Sequence, residues 1–340
     1  MSAWGIELRT QAAFSPPRRF GSFPVPTMKF RILPLLAALV VSSARIHAQQ
    51  APSDVEHIPD LIYTKHDGVA LTMDVFKPAN QNGAGIIKVV SGGWKSNHTG
   101  INDGGWTKAG YTVFTVVHGT QPRFHIDEII ADLNRAVRYV RANAPKYGVD
   151  PNKLGITGGS AGGHLSLSIG AHGGPGDPNA ADPIDRESSA VQAVACFYPP
   201  TDFLNWRNDG DSAVGVGVLA DLNGAFGPRA DTEEGRAKLG VEISPITYVH
   251  QGQPPIFIVH GDADPRVDIN QAYRFQKRCA DVGAICEVLV RHGGAHGGWD
   301  TADDYTRMIE WFNLHLLGKQ PATPFYYSVS CFPMTPKVKK

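Results

Sequence analysis

Short apolar runs recur along the chain and predict a series of buried β-strands. Most of the runs are bounded by glycine or proline, as is typical of strands that are covered on both faces. The six runs are residues 85–90, 111–117, 153–157, 191–198, 256–260 and 287–291. An earlier pair, residues 61–63 and 70–76, is joined by a His-Asp-Gly turn at 66–68 and predicts two opening strands.

Between these runs the apolar residues change to a helical period. One set recurs every three or four residues and predicts an amphipathic helix that ends at Pro145. The members of this set are Ile129, Leu133, Ala136, Val137, Val140 and Ala144. Residues 271–282 and 303–317 predict two more helices. Strands that alternate with helices predict an α/β fold with a mostly parallel central sheet and helices on both faces.

Residues 202–240 interrupt this alternation. The segment is rich in glycine, aspartate and asparagine and separates two predicted strands. We interpret it as a small cap insertion near the C-terminal edge of the sheet. The main domain is then expected to span residues 49–320, followed by a tail at 321–340.

The N-terminal region has the layout of an export signal. A basic start at 28–31, an apolar run at 32–41 and small residues up to Ala48 predict a signal peptide over residues 28–48. The run is shorter than the ~20 apolar residues of a spanning helix, so we expect no stable membrane anchor. Residues 1–27 precede Met28, where a signal peptide would normally begin. We therefore interpret them as upstream sequence that results from a mispredicted start codon. The expected location is secreted or periplasmic.

Composition excludes some classes of partner and leaves the disulfides open. The chain has 32 basic and 32 acidic residues, so its charge does not indicate binding to nucleic acid. Its four cysteines allow three complete pairings, and Cys279 and Cys286 are close enough in sequence for a local bridge. Cys196 lies in an apolar run and is predicted to be a buried free thiol. No Cys/His spacing predicts a zinc site, and we expect no cofactor.

The segment GITGGSAGGH, residues 155–164, places one serine among glycines between a predicted strand and a helix. Gly158–Gly162 has the pattern G-x-S-x-G of a nucleophile elbow, in which Ser160 sits on a tight strand-to-helix turn. A phosphate loop would need lysine and serine or threonine after its last glycine, whereas His164 follows here. A flexible hinge remains the alternative.

A serine nucleophile needs a base and an acid, which in this kind of sheet follow it in the order acid, then histidine. We prefer Asp264 as the acid because it lies further round the turn after strand 256–260, before Pro265. Asp262 is expected to brace that turn, and Asp202 is a third, weaker candidate.

The base is expected in the loop after the last predicted strand. His296 lies among glycines that let the loop bend toward Ser160, whereas His292 is nearer the strand and is expected to be structural. Both Asp264 and His296 therefore follow late strands, as the elbow requires.

An oxyanion hole needs backbone N–H donors. Ala161 follows the nucleophile and is one expected donor, and the loop after strand 85–90 offers Gly92 or Gly93 as the other. Trp94 and Trp299, together with the 202–240 segment, are expected to line the substrate pocket.

Several segments resemble the α/β-hydrolase superfamily, and within it the carboxylesterase branch of acetyl and feruloyl esterases, hormone-sensitive-lipase-like enzymes and kynurenine formamidases. The similarity covers residues 58–317. It is carried by ADLNRAVR at 131–138, YGVDP at 147–151, the elbow at 158–165, SPITY at 244–248 and HGDAD at 260–264. The resemblance implies Ser160 as nucleophile, Asp264 as acid and His296 as base.

The chain departs from this branch at two places. Val90 and Ser91 stand where the branch usually has histidine and glycine before the Gly-Gly-Trp, and His118 and Gly119 replace a common tyrosine–arginine pair. The first departure concerns what holds the loop after strand 85–90, which we call the oxyanion loop, in place. The second weakens the inference of a particular substrate from this resemblance.

From these residues we expect a secreted serine hydrolase that cleaves carboxylic esters, with a small-molecule or polysaccharide-linked ester such as an acetyl or feruloyl ester as substrate. An amide hydrolase, formamidase-like or peptidase, is the first alternative, because ester and amide cleavage share the same residues. A non-catalytic binding protein of the same fold is the second.

Overall fold

The computed structural model describes residues 54–325, which form one eight-stranded sheet with helices on both faces. The strands are β1 (Val55–His66), β2 (Val69–Pro78), β3 (Gly85–Val90), β4 (Thr112–Val117), β5 (Leu154–Gly159), β6 (Ala193–Phe197), β7 (Ile256–Gly261) and β8 (Cys286–Arg291). The helices are α1 (Ile126–Asn143), α2 (Ala161–His172), α3 (Glu233–Ile243), α4 (Asn270–Val282) and α5 (Ala302–Leu317).

The strand order in the sheet is β1-β2-β4-β3-β5-β6-β7-β8. β1 pairs with β2, and β2 with β4, in antiparallel fashion, whereas all the other neighbours are parallel. The predicted mostly parallel sheet is therefore confirmed. Because carboxyl ends of parallel strands meet at one edge, the loops after β3, β5, β7 and β8 lie at the same edge of the sheet.

Two apolar layers cover the two faces of the sheet. Neighbouring residues of β3 point to opposite sides, so Ile87 packs in the layer with α1, α2 and α4, and Ile86 packs in the layer with α5. Met308, Trp311 and Phe312 of α5 are fully buried, as their predicted shared helix face requires. Both faces of the sheet are thus closed by helices.

Helix α3 was not predicted from the sequence. It lies at the end of the irregular segment, after 3₁₀ turns at Gly217–Ala225 and Pro228–Asp231. Its only clear sequence signal is at its start, where the Thr232 hydroxyl accepts the Gly235 N–H and acidic residues occupy the first turn. Its apolar spacing is too weak to distinguish it from the surrounding loop.

Several sequence predictions fall partly or wholly outside the described residues. These are the mispredicted start at 1–27, the signal peptide at 28–48, Cys331 and most of the tail at 321–340. Cys196, Cys279 and Cys286 are buried free thiols, which confirms the prediction for Cys196. Within residues 54–325, every helix is too short or too polar to cross a bilayer.

Candidate active site

The G-x-S-x-G segment forms a tight turn between β5 and α2. Ser160 has φ 53° and ψ −120°, a conformation that a residue with a side chain seldom adopts and that is held here by the elements on each side. Its N–H donates to the Phe197 carbonyl on the neighbouring strand at 3.0 Å. The turn thus fixes the serine above the carboxyl edge of the sheet.

Glycine is required beside the serine because the backbone folds onto itself. A Cβ at position 158 would lie 2.5 Å from the carbonyl oxygen of Gly162, and one at position 162 would lie 2.9 Å from the Val89 carbonyl oxygen. Both obstacles are backbone atoms, one in the turn and one on β3, so neither can move aside without displacing the turn or the strand.

We therefore expect Gly158→Ala to disrupt the elbow. Overpacking of this kind costs about 1–3 kcal/mol of unfolding free energy, and the displaced serine should lose about 10²-fold in kcat, since a misplacement of about 1 Å costs that much. Urea unfolding and ester hydrolysis measure the two effects. Gly174→Ala is the matched control, because a Cβ there meets no atom within 4 Å. Equal behaviour of the two variants would contradict this explanation of the glycines.

Three sequence-predicted residues meet at this turn. Ser160 Oγ lies 2.8 Å from His296 Nε2, and His296 Nδ1 lies 2.7 Å from Asp264 Oδ2. The carboxylate can only accept, so the Nδ1 proton must be on the imidazole, which leaves Nε2 free to accept the Ser160 hydroxyl proton. The structure therefore brings together residues that lie 136 and 32 positions apart in the chain.

Asp264 is held as a buried carboxylate. Its Oδ1 accepts the N–H groups of Arg266 and Val267 at 2.8 and 2.9 Å, and His260 Nε2 lies 3.5 Å from its Oδ2. Burial alone would raise the pKa of Asp264, but hydrogen bonds from His260, His296 and the two N–H groups hold this pKa well below its ordinary value. The acid therefore stays ionised throughout the range in which a histidine can act as a base.

The other candidates for acid and base have structural partners. Asp262 accepts from the Gly293 N–H at 2.7 Å and lies 2.8 Å from His292 Nδ1, so it braces the turn as expected. The His292 side chain is 88% exposed. Asp202 accepts two N–H groups of its own turn, from Leu204 and Asn205.

The backbone distinguishes between the two predicted glycine donors of the oxyanion hole. The Gly92 N–H donates to the Lys95 carbonyl at 2.9 Å, so it is already occupied. The Gly93 N–H has no acceptor within the described part of the chain, and Gly93 lines the same cavity as Ser160. Ala161 begins α2, where N–H groups lack intrahelical acceptors and the helix dipole favours negative charge. The geometry favours Gly93 and Ala161.

The oxyanion loop is braced by residues that follow β4, in place of the histidine usual in this branch. The Thr120 hydroxyl accepts the Ser96 N–H and donates to the Ser96 carbonyl, at 3.0 and 2.7 Å. Gln121 donates from its amide group to the Gly93 carbonyl and from its N–H to the Trp94 carbonyl. These bonds hold the loop in place.

Trp94 also ties this loop to the elbow helix. Its indole is 1% exposed and its Nε1 donates to His164 Nδ1 at 3.1 Å, while His164 Nε2 donates to the Ile243 carbonyl at 2.7 Å. Trp94 touches the cavity, but its ring lies in the core between Phe203 and Phe226. Its main contribution is therefore to position the loop.

We expect the free energy of unfolding to fall as pH is lowered from about 6.5 toward 4. Burial lowers the pKa of His164, His118 and His315 to about 4, so the unfolded chain binds more protons in this window. Each can contribute up to about 1.4 kcal/mol per pH unit. His66 acts in the opposite sense: although burial lowers its pKa, hydrogen bonds to Asp67 and Asp132 raise it overall.

Urea unfolding at pH 7, 6 and 5 measures this dependence. His164→Phe should reduce the slope, because the indole of Trp94 donates to the nitrogen that would have to be protonated. A slope that is zero or reversed in the unsubstituted protein would contradict the assignment of these histidines as neutral.

Ser160 lines a cavity of about 670 Å³. Its apolar wall combines residues from the irregular segment with residues near Ser160, His296 and Asp264. These are Pro200, Trp206, Leu219, Leu222 and Val267. Trp299, a predicted pocket residue, is not among the described residues that line this cavity. Its ring instead packs edge-on against Tyr198, and its Nε1 donates to Asp304 at 2.7 Å.

Tyr198 lines the cavity, although it is not among the site residues predicted from the sequence. It has φ 34°, and its ring centroid lies 4.6 Å from that of His296. Its position directly after the strand next to the elbow is the signal that could have found it, since such residues face the nucleophile. Burial raises the pKa of its hydroxyl, so the phenol stays protonated.

Arg266 fastens the irregular segment over the cavity. Its guanidinium donates to Asp221 at 2.8 and 2.9 Å and to the Val218 carbonyl at 2.9 Å, while its N–H binds the Asp264 carboxylate. The wall that carries Leu219 and Leu222 is thus joined directly to the acid loop. Over residues 54–325, no cluster of His, Cys, Asp or Glu is arranged to hold a metal ion.

Comparison with known proteins gives the same fold. A solved carbohydrate esterase from gut microbiota, in truncated form, superposes with a TM-score of 0.68 at 25% identity and covers 78% of this chain and 99% of that one. The fold is therefore that of the α/β-hydrolases.

Curated relatives include esterases from two bacteria. Esterase LipQ of Mycobacterium tuberculosis is 31% identical over 193 residues, which is 57% of this chain and 44% of LipQ. An acetylxylan esterase of Xylanibacter ruminicola is 30% identical over 137 residues, 39% of this chain and 27% of that protein. The chain thus spans less than half the length of either relative.

The sequence profile of the BD-FAE family matches residues 73–279, which run from within β2 into α4 and contain Ser160 and Asp264. This match covers more than half of the chain. The chain therefore belongs to the BD-FAE family of α/β-hydrolases, within the carboxylesterase branch.

Proposed function

We propose that this protein is a secreted serine hydrolase that cleaves carboxylic esters through an acyl-enzyme. The observation that carries the proposal is the continuous hydrogen-bonded series Ser160–His296–Asp264 at the base of an open cavity. The free donors of Gly93 and Ala161 on the same cavity wall complete the requirements of acyl transfer. Export is supported by the signal-like layout of residues 28–48.

In the first half of the reaction, Ser160 Oγ attacks the ester carbonyl carbon while His296 Nε2 takes the hydroxyl proton. The carbonyl oxygen becomes an oxyanion that the N–H groups of Gly93 and Ala161 stabilise, and loss of one such donor costs about 10²–10³-fold in kcat. The intermediate collapses, the C–O bond to the alcohol breaks, and His296 gives its proton to the leaving alkoxide.

In the second half, a water molecule repeats the attack on the acyl-enzyme. His296 accepts a proton from this water, the hydroxide adds to the acyl carbon, and the proton returns to Ser160 Oγ as the carboxylic acid leaves. Asp264 orients the imidazole and stabilises its cation throughout.

The proposed substrates are acetyl or feruloyl esters borne by polysaccharide. The names of the acetylxylan esterase relative and of the carbohydrate esterase structure support this class. The cavity also suits it, because a volume of about 670 Å³ with an apolar wall accepts an acyl group while its opening leaves room for a larger alcohol.

A substrate panel tests the proposal. We expect p-nitrophenyl acetate, methyl ferulate and acetylated xylan to be hydrolysed, with short acyl groups preferred over chains of ten or more carbons. Formyl-amide substrates should be poor. A formyl amide cleaved faster than every ester would favour an amide hydrolase, and no turnover of any substrate, combined with ligand binding, would favour a binding protein.

A further inference from the structure

A second cavity, of about 540 Å³, lies at the same edge of the sheet as the candidate active site. We call it the accessory cavity and define it by Ala70, Leu71, Ser96, Val117, His118 and Phe124, which are among its lining residues. The end of β4 and the beginning of antiparallel β2 form its floor. Because β3 and β4 are parallel, this floor lies beside the loop that carries Gly93.

The accessory cavity and the catalytic cavity lie on either side of the oxyanion loop. Lys95 lines the catalytic cavity, and the next residue, Ser96, lines the accessory cavity. The two cavities are therefore separated by the width of one backbone segment, which Thr120 braces through its hydroxyl. A chain molecule that lies along this edge of the sheet can reach both.

His118 leaves an unpartnered acceptor at the accessory cavity. The residue is 2% exposed, and its Nδ1 donates to the Gly119 carbonyl at 2.6 Å. Burial lowers the pKa of His118 to about 4, so the imidazole is neutral and its Nε2 carries a lone pair. No group within residues 54–325 donates to this atom, and a buried unpaired acceptor costs about 1–3 kcal/mol. A ligand hydroxyl would remove that cost.

Apart from the Arg123 guanidinium, no described residue of the lining carries a permanent charge. No aspartate or glutamate is among the described residues that line the cavity. Arg123, which does line it, donates to the Asp67 carbonyl and lies 5.7 Å from the ring centre of Phe124. Leu71 and Phe124 supply apolar surface, and Thr72 supplies a hydroxyl group. This combination suits a neutral ligand that has both an apolar face and hydroxyl donors, as a pyranose ring has.

We propose that the accessory cavity binds a neutral sugar residue of the same polysaccharide whose ester enters the catalytic cavity. This inference rests on the proposed function, since it extends the ester-bearing substrate to a second point of contact. The unit in the accessory cavity donates a hydroxyl proton to His118 Nε2 and packs its apolar face on Leu71 and Phe124. The esterase then favours long chains over short ones.

Ala70→Trp tests the proposal in the enzyme. Ala70 is exposed and lines the cavity, so an indole there fills the space without entering the core. We expect kcat/KM for acetylated xylohexaose to fall about tenfold, equivalent to about 1.4 kcal/mol of binding, with p-nitrophenyl acetate unaffected. Ala79→Trp is the matched control, because Ala79 is exposed just beyond the opposite end of β2. It should change neither value.

Direct binding separates this inference from the proposed function. In a Ser160→Ala background, we expect calorimetry to detect binding of unacetylated xylohexaose or cellohexaose. Adding Ala70→Trp should abolish this binding, whereas adding Ala79→Trp should retain it. Failure to bind either hexasaccharide, or equal binding by both tryptophan variants, would overturn the accessory site. If the unsubstituted protein did not hydrolyse p-nitrophenyl acetate, the proposed function would be overturned instead.

Discussion

Replacing Ser160 with alanine is expected to lower kcat for p-nitrophenyl acetate by roughly 10⁴- to 10⁶-fold. The hydroxyl lies 2.8 Å from His296 Nε2, and no other hydroxyl in the cavity is hydrogen-bonded to that nitrogen among the described residues. Its loss removes the nucleophile and leaves only the oxyanion donors. Initial rates corrected for spontaneous hydrolysis measure the effect.

Ser168→Ala is the matched control for this variant. Ser168 lies in α2, eight positions after the nucleophile, and its hydroxyl donates to the His164 carbonyl at 3.0 Å rather than toward the cavity. We expect its kcat to remain within about threefold of the unsubstituted protein, because a single neutral hydrogen bond contributes only about 1 kcal/mol to stability. Comparable losses in both variants would mean that Ser160 acts through folding alone.

Asp264→Asn is expected to lower kcat by roughly 10⁴-fold with little change in fold. The two N–H groups of Arg266 and Val267 require an oxygen at the Oδ1 position, so the amide oxygen takes that place. The amide NH₂ then faces His296 Nδ1, which must become the acceptor and move its proton to Nε2. In that tautomer the imidazole cannot accept the proton of Ser160.

Asp262→Asn provides the comparison for this second prediction. It lies two residues away on the same turn, but it faces exposed His292 instead of the imidazole of the site. We expect its kcat to stay within about threefold, and circular dichroism should show both variants folded. If Asp262→Asn were the more damaging change, the acid would be assigned to the wrong carboxylate.

The arrangement of the site could be predicted from the sequence where it depends on short-range pattern. The glycines at 158 and 162 indicate a crowded turn. Asp264 and His296 follow late strands, whose carboxyl ends lie at the same edge of a parallel sheet as Ser160. Because the carboxyl ends of parallel strands lie at one edge of the sheet, residues far apart in the chain could be predicted to lie near one another.

Other features depend on contacts that sequence pattern does not encode. The choice of Gly93 over Gly92 follows from one backbone bond to Lys95, and the burial of Trp94 follows from its bond to His164. The Tyr198 ring meets His296 only after two loops have folded together. Trp299 looks equally suitable in the sequence, yet its indole binds Asp304 instead.

Labelling with a fluorophosphonate, followed by peptide mass spectrometry, tests the central claim most directly. The reagent phosphonylates only a hydroxyl that a neighbouring base activates and whose oxyanion is stabilised, so it reports the whole arrangement at once. We expect one adduct per chain, on the peptide that contains Ser160, with activity lost in proportion. An active protein that remains unlabelled, or an adduct on another residue that accompanies the loss of activity, would contradict the account.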